Sequence, residues 1–252
     1  MRGPEEFVRH LLEEQYHPRS DAHSNAMCRA ILNDLLDNCS PLAERAGRGE
    51  IVASLNHTVI IGYQRWNIDL AVGPPPGTPL APKQDQRIRW DVPTVIQMAV
   101  EIKGVMTEHG KARFNRLRDL HAFHDHAHNY NRKVVAGGVV VVNVSPVFWS
   151  PLRAPEDITR HDHIGRIGRE TVELFRNLPL RDDPSNGPGL EAVCVIVVEH
   201  DNLAKHLGLP ADAPRPRPPL LVSKPPAPPQ GDPLSYGTFI HRLCRAYVDR
   251  WR

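Results

Sequence analysis

A chain of 252 residues with 40 % apolar residues, 24 % charged residues and a formal net charge of +2 has enough apolar material for a buried core. Its charge is too balanced for a disordered acidic or basic tail. No apolar run reaches the length of a bilayer span, and the acidic, amphipathic start MRGPEEFVRHLLEEQY lacks the layout of a secretory signal, which predicts a cytoplasmic protein with no membrane partner.

Phe7, Val8, Leu11 and Leu12 recur at helical spacing over 5–16, and Pro18 ends that helix. Ser20 or Asp21 starts a second helix, whose apolar stripe is Met27, Ile31, Leu32, Leu35 and Leu36. Pro41 opens a third, short helix that Gly47 and Gly49 close. The period then changes to two, with strands over 51–62 and 66–72 joined by a turn near Gly62-Tyr63-Gln64. A proline-rich loop separates them from a strand over 94–105, a helix over 108–128 and a valine-rich strand over 134–144 expected to be buried on both faces. Inside that strand Gly137-Gly138 lacks the phosphate-loop frame and reads as close packing or a bulge. A helix over 164–175, a buried strand over 192–199 and a short helix over 202–207 follow.

Prolines dominate 210–233, predicting an extended segment, wrapped on the surface or mobile, that cannot form the interior of a sheet or helix. A last helix over 234–251 carries Tyr236, Phe239, Ile240, Leu243 and Tyr247. The order of elements predicts an α/β fold, a mixed central β-sheet flanked by helices. The expected organisation is a main domain (1–209), a proline-rich segment (210–233) and a C-terminal helix (234–252) packed on the core. Cys28, Cys39, Cys194 and Cys244 form no C-x-x-C pair and no zinc spacing, so all four are expected as reduced, buried thiols.

Three charges interrupt apolar strands. In QRWNIDLAVG, period-two alternation sets Trp66, Ile68, Leu70 and Val72 on one face and Asn67, Asp69 and Ala71 on the other. In TVIQMAVEIKGVM, Glu101 and Lys103 share a face opposite Ile96, Met98, Val100 and Ile102. Two carboxylates converging from neighbouring strands repel each other unless a cation joins them. Oxygen ligands suit Mg2+, which takes one or two carboxylates together with substrate phosphate. The adjacent lysine can orient or activate a water, and its pKa is expected to fall if it is desolvated beside the metal. These parts suit phosphodiester hydrolysis.

Ile68-Asp69, a gap of about thirty residues and then Glu101-Ile102-Lys103 resembles the PD-(D/E)XK nuclease superfamily, which includes most type II restriction endonucleases. The resemblance implies a restriction-endonuclease-like core with Asp69, Glu101 and Lys103 catalytic. It implies Mg2+ held by Asp69, Glu101 and the Ile102 carbonyl, with Lys103 serving the attacking water. It further implies an endonuclease acting on double-stranded DNA, as a homodimer or higher homo-oligomer because two strands call for two sites. Ile68 stands where a proline is common in the family, and Asn25, Asp34 and Glu44 are all open as an additional polar residue from the first core helix. A sequence-indifferent anti-phage effector nuclease and a non-catalytic nucleic-acid-binding module with a degenerate site are the alternative readings.

Lys111, Arg113, Arg116 and Arg118 open the following helix and are candidate phosphate contacts for DNA; Arg242, Arg245, Arg250 and Arg252 decorate the last one. His121, His124 and His128 share a helical face, and His161 and His163 lie further on. Without an H-E-x-x-H pattern the histidine helix is expected to face solvent or phosphate and not to form a zinc or iron cage.

Overall fold

The computed structural model describes residues 1–204 and 213–251. Three helices, α1 (Gly3–Glu13), α2 (Ala22–Asn38) and α3 (Ser40–Gly47), precede a hairpin of β1 (Val52–Ile61) and β2 (Gln64–Gly73). Then come β3 (Arg89–Trp90), β4 (Met98–Val105), α4 (His109–Tyr130), β5 (Val135–Asn143), β6 (Val147–Trp149) and β7 (Ile158–Arg160). The chain closes with α5 (Ile164–Arg176), β8 (Ala192–Glu199), β9 (Leu220–Leu221) and α6 (Tyr236–Trp251). The central sheet is mixed, in the order β3-β1-β2-β4-β5-β8-β9, and β6 and β7 pair separately. β4, β5 and β8 run parallel, while β2 joins β4 antiparallel.

The sheet divides two cores. Met27, Ile31 and Leu35 of α2 and Phe239 and Leu243 of α6 pack on Val72, Met98, Val139 and Cys194. On the other face Leu120 and Phe123 of α4 and Val172 and Phe175 of α5 meet Ala99, Val140 and Val195. All nine residues of β5 are buried, as a strand sandwiched by helices requires. No bulge interrupts Gly137-Gly138. A Cβ on Gly137 would come 3.1 Å from both Leu243 and Phe239, and one on Gly138 equally close to Leu120 and Leu190. The glycine pair therefore lets α6 and α4 close on the middle strand from both sides.

Several expectations need correction. The strand expected over 94–105 begins only at Met98, since Thr94 and Gln97 donate to the Pro74 and Val72 carbonyls before the ladder with β5 begins. Among its described residues the proline-rich stretch stays out of helix and sheet interior, as expected, and Leu220–Leu221 forms only an edge strand antiparallel to β8. Both residues keep an N–H, and an edge strand needs only a short ladder. Asn202 has a left-handed φ of 59°, and residues 202–204 are not helical; the remainder of the helix expected over 202–207, like 210–212 of the proline-rich segment, lies outside the described residues. Arg252 also lies outside them.

Cys39 and Cys244 form a disulfide, and only Cys28 and Cys194 are buried thiols. Cys39 caps α2 where α3 begins, Cys244 lies on α6, and 205 residues separate them. No local spacing could have announced that pair. The arginines of α6 are paired: Arg242 and Arg245 reach Asp182 at the surface, and Arg250 turns inward to Glu191.

Candidate active site

The β1–β2 register pairs Leu55 with Leu70 and His57 with Ile68, so Asn56 stands opposite Asp69. Asn56 adopts a left-handed φ of 51°, a conformation that asparagine tolerates better than branched residues. Across this point the hairpin changes faces. Ala53, Leu70 and Val72 belong to the α2–α6 core, whereas Val59, Ile61, Trp66 and Ile68 join the α4–α5 core. Strict alternation, which grouped Trp66 and Ile68 with Leu70 and Val72, is therefore overturned at Asp69.

The ladder between β2 and β4 ends at the Leu70–Val100 rung, and from Glu101 onward the edge of β4 facing β2 is open. Asp69 sits in that opening. Its Oδ2 accepts the Ile102 N–H at 2.7 Å. Glu101 and Lys103 project on one face of β4, and the Lys103 ammonium donates to Glu101 Oε1. The expected trio is thereby brought to one place. Asp69, Ile102, Lys103 and Gly104 line a cavity of about 250 Å³, closed by Ser20 and Asp21 at the start of α2 and by Arg116 of α4. Glu101, only 9 % exposed, lies behind Lys103 and not on the cavity wall.

Burial governs the charges. It raises the Asp69 pKa, against the Ile102 N–H and the Lys103 ammonium, which pull it down. Glu101 is pushed up to about 7, first by burial and then by the Asp69 charge, and its contact with Lys103 does not offset both. Burial works against the Lys103 charge too, but Glu101, Asp69 and Asp119 outweigh it and hold the ammonium above its ordinary value. The downward shift expected for a lysine beside a bound metal is a different case, since here the carboxylates face the ammonium directly. All three groups shift upward, in a poorly hydrated place that carries more negative than positive charge.

That imbalance bears on whether the residues fit Mg2+. Within an extended strand the N–H and C=O of one residue leave on the same edge, so the Ile102 carbonyl faces the open edge with Asp69. Two carboxylates and a carbonyl suit a hard cation that keeps several waters. Among the described residues no group of three or more His, Cys, Asp or Glu side chains gathers to hold a metal, so a cage built from protein ligands alone is not present. Asp69 and the Ile102 carbonyl at the cavity fit a hydrated ion shared with substrate, and Glu101 joins them only by giving up its Lys103 contact.

Of the basic residues opening α4, Arg116 lines the cavity, donating to the Gly104 carbonyl at 3.3 Å and to Asp119 at 2.8 Å. Lys111 is exposed on the wall of an adjoining cavity. Arg113 is drawn to Glu170 of α5 at 3.1 Å, and Arg118 bonds Asn115. The candidates from the first helices, Asn25 and Asp34 of α2 and Glu44 of α3, resolve differently again. Asp34 is consumed by the N–H groups of Arg2 and Gly3 and by the Tyr236 hydroxyl. Glu44 pairs with Arg48, and Asn25 does not line the cavity. Asp21 does, and its charge acts on Asp69. Asp21, Tyr16 and His17 were missed because the α1–α2 loop that carries them has no periodicity and joins the site only through the fold.

The histidine helix is not solvent-facing as expected. His124 is buried, its Nε2 3.4 Å from His121 Nδ1, and burial lowers its pKa. His128 meets Glu191 at 3.5 Å. That side of α4 faces the second core, away from the cavity. No helix is long and apolar enough to cross a membrane among the described residues. No family model matches the chain, and no curated protein or solved structure matches it.

Proposed function

We propose that the chain is a Mg2+-dependent endonuclease that hydrolyses phosphodiester bonds of double-stranded DNA as a homodimer of the type II restriction kind. The observation that carries this reading is the Asp69–Ile102 contact. It holds a carboxylate against the open edge of the strand bearing Glu101 and Lys103, inside a cavity that a phosphate can enter.

Mg2+ bound by Asp69, Glu101 and the Ile102 carbonyl would polarise a phosphoryl oxygen and neutralise charge at the leaving oxygen. Lys103 orients the attacking water and donates to the developing negative charge. Asp69 and Glu101 place the electrophilic centre relative to that ammonium. Arg116, anchored by Gly104 and Asp119 at the mouth, holds substrate phosphate without reading sequence. A second copy of the site, supplied by a partner protomer, accounts for cutting the complementary strand.

Purified protein incubated with methylated and unmethylated plasmid and phage DNA, with Mg2+ or EDTA, tests the proposal. Metal-dependent cutting into discrete fragments is expected, lost in Glu101→Ala and Lys103→Ala while folding is kept. Cutting that survives in both variants, or parent protein inert on every DNA, overturns it.

A further inference from the structure

Tyr16 is held at its backbone and by its ring. Its N–H donates to Asn202 Oδ1 and its carbonyl accepts from Asn202 Nδ2, each at 2.9 Å. Its ring stacks on His23 at 4.9 Å and meets Phe148 edge-on at 5.9 Å. The hydroxyl, by contrast, makes no hydrogen bond among the described residues. It lies 3.3 Å from where a Cβ on Gly104 would be, directly over the strand that carries Glu101 and Lys103. A phenol fixed at its backbone and by two ring contacts, with its polar end left open, is organised in advance for a ligand.

Arg116 stands beside it, close enough for its charge to act on the phenol. Nε and Nη1 of Arg116 are engaged by Gly104 and Asp119, while Nη2 has no partner among the described residues. Tyr16 and Arg116 both line the catalytic cavity and a second one of about 440 Å³ that continues along the start of α4. The second cavity has an apolar side, Met106, Phe148 and Leu152, and a polar side that includes Asn115 and the exposed Lys111, which makes no ion pair among the described residues.

We propose that the Tyr16 hydroxyl and the Arg116 guanidinium together bind the phosphate next to the scissile one, and that the second cavity receives the nucleoside attached to it. A hydroxyl donor and a planar guanidinium lining the same cavities match the oxygens of a phosphodiester. The apolar side offers a surface for a sugar or base, as nucleotide sites commonly pair apolar walls with a few placed polar groups. The identity of the strand rests on the nuclease reading; the anion site does not.

The test uses Tyr16→Phe, which removes an oxygen with no hydrogen-bond partner among the described residues and keeps the ring, with Arg116→Gln as the second variant. Calorimetry with inorganic phosphate, thermal melting, and cleavage kinetics on plasmid DNA are measured for each. Parent protein should bind phosphate, and both variants should bind it about tenfold more weakly, as expected for loss of a hydrogen bond to a charged group. The melting temperature of Tyr16→Phe should be unchanged, and KM for DNA should rise by more than kcat falls. A merely structural tyrosine would leave phosphate affinity and KM untouched. Phosphate affinity in Tyr16→Phe equal to the parent's, or no phosphate binding by the parent, overturns the proposal. Tyr16-dependent phosphate binding in a parent that cuts no DNA upholds the anion site and removes the nuclease reading instead.

Discussion

The Asp69 carboxylate accepts the Ile102 N–H at 2.7 Å where the ladder between β2 and β4 has already ended. A side chain thus satisfies a main-chain donor that the diverging strand no longer reaches. The same bond fixes a negative charge beside Glu101 and Lys103. Asp69→Asn keeps an acceptor and removes the charge, whereas Asp69→Ala strands the Ile102 N–H. Denaturant melts should place the alanine variant lower by about 1–3 kcal/mol, the cost of an unsatisfied buried donor. Asparagine should be no less stable than the parent in metal-free buffer, because it relieves a buried charge. Neither variant should bind Mg2+ in calorimetry or cut DNA; retained Mg2+ binding in Asp69→Asn would show that the charge is not a ligand.

Glu101 makes metal-free stability depend on pH in an unusual direction. Its folded pKa of about 7 exceeds the ordinary value of 4.5, so the folded state binds the proton more tightly than the unfolded one. Stability is therefore greatest below pH 4.5 as far as this group is concerned, and it declines as pH rises through about 7. The loss is on the order of 3 kcal/mol by the usual conversion. Glu101→Gln should flatten this dependence and be more stable than the parent at pH 8. Affinity for Mg2+ should rise with pH across the same interval, since only the ionised carboxylate binds metal. Urea titrations at pH 5, 7 and 8 with EDTA give the measurement, and parallel curves for parent and Glu101→Gln would refute the assignment.

Glu191 is shifted the opposite way. Burial pushes it up, but His128, Arg250 and the Ala136 N–H outweigh that and bring it down to about 2. Arg181 adds a further contact at 2.5 Å. The network ties the start of β8 to α4, α6 and the loop after α5. Stability from this group is present above pH 4.5 and lost as pH falls toward 2. Glu191→Ala leaves two buried guanidinium groups, Arg181 and Arg250, without their carboxylate and should cost about 3–5 kcal/mol in a urea melt. A change under 1 kcal/mol would show that water replaces the carboxylate.

The Cys39–Cys244 bond closes a loop of 205 residues between the start of α3 and the last helix. Closure of so long a loop should stabilise the fold by roughly 2–4 kcal/mol through the unfolded chain. Cys39→Ser/Cys244→Ser should therefore melt lower, while thiol titration of the unfolded, unreduced parent should find only Cys28 and Cys194. Four titrating thiols without reductant would disprove the bridge. Native protein should react slowly at either thiol, because burial pushes both well above the ordinary range.

What the sequence determined by itself was local. The helical stripes of α1, α2 and α6 and the valine run of β5 mark elements whose apolar period matches their backbone period, and each formed within a few residues of its expected limits. The order of those elements was enough for a mixed sheet between helices. Asp69, Glu101 and Lys103 could be picked out because a charge inside an apolar strand is costly and so conspicuous. Only the tertiary structure decided what surrounds them. Asn56 turns the hairpin to the other face at Asp69, which no alternation rule foresees. The disulfide joins residues 205 apart, and the arginines of α6 are spent on Asp182 and Glu191. Tyr16 and Asp21 reach the cavity from a loop without pattern. Sequence period reports which face of an element is apolar; partners far along the chain are chosen by packing, and packing belongs to the whole fold.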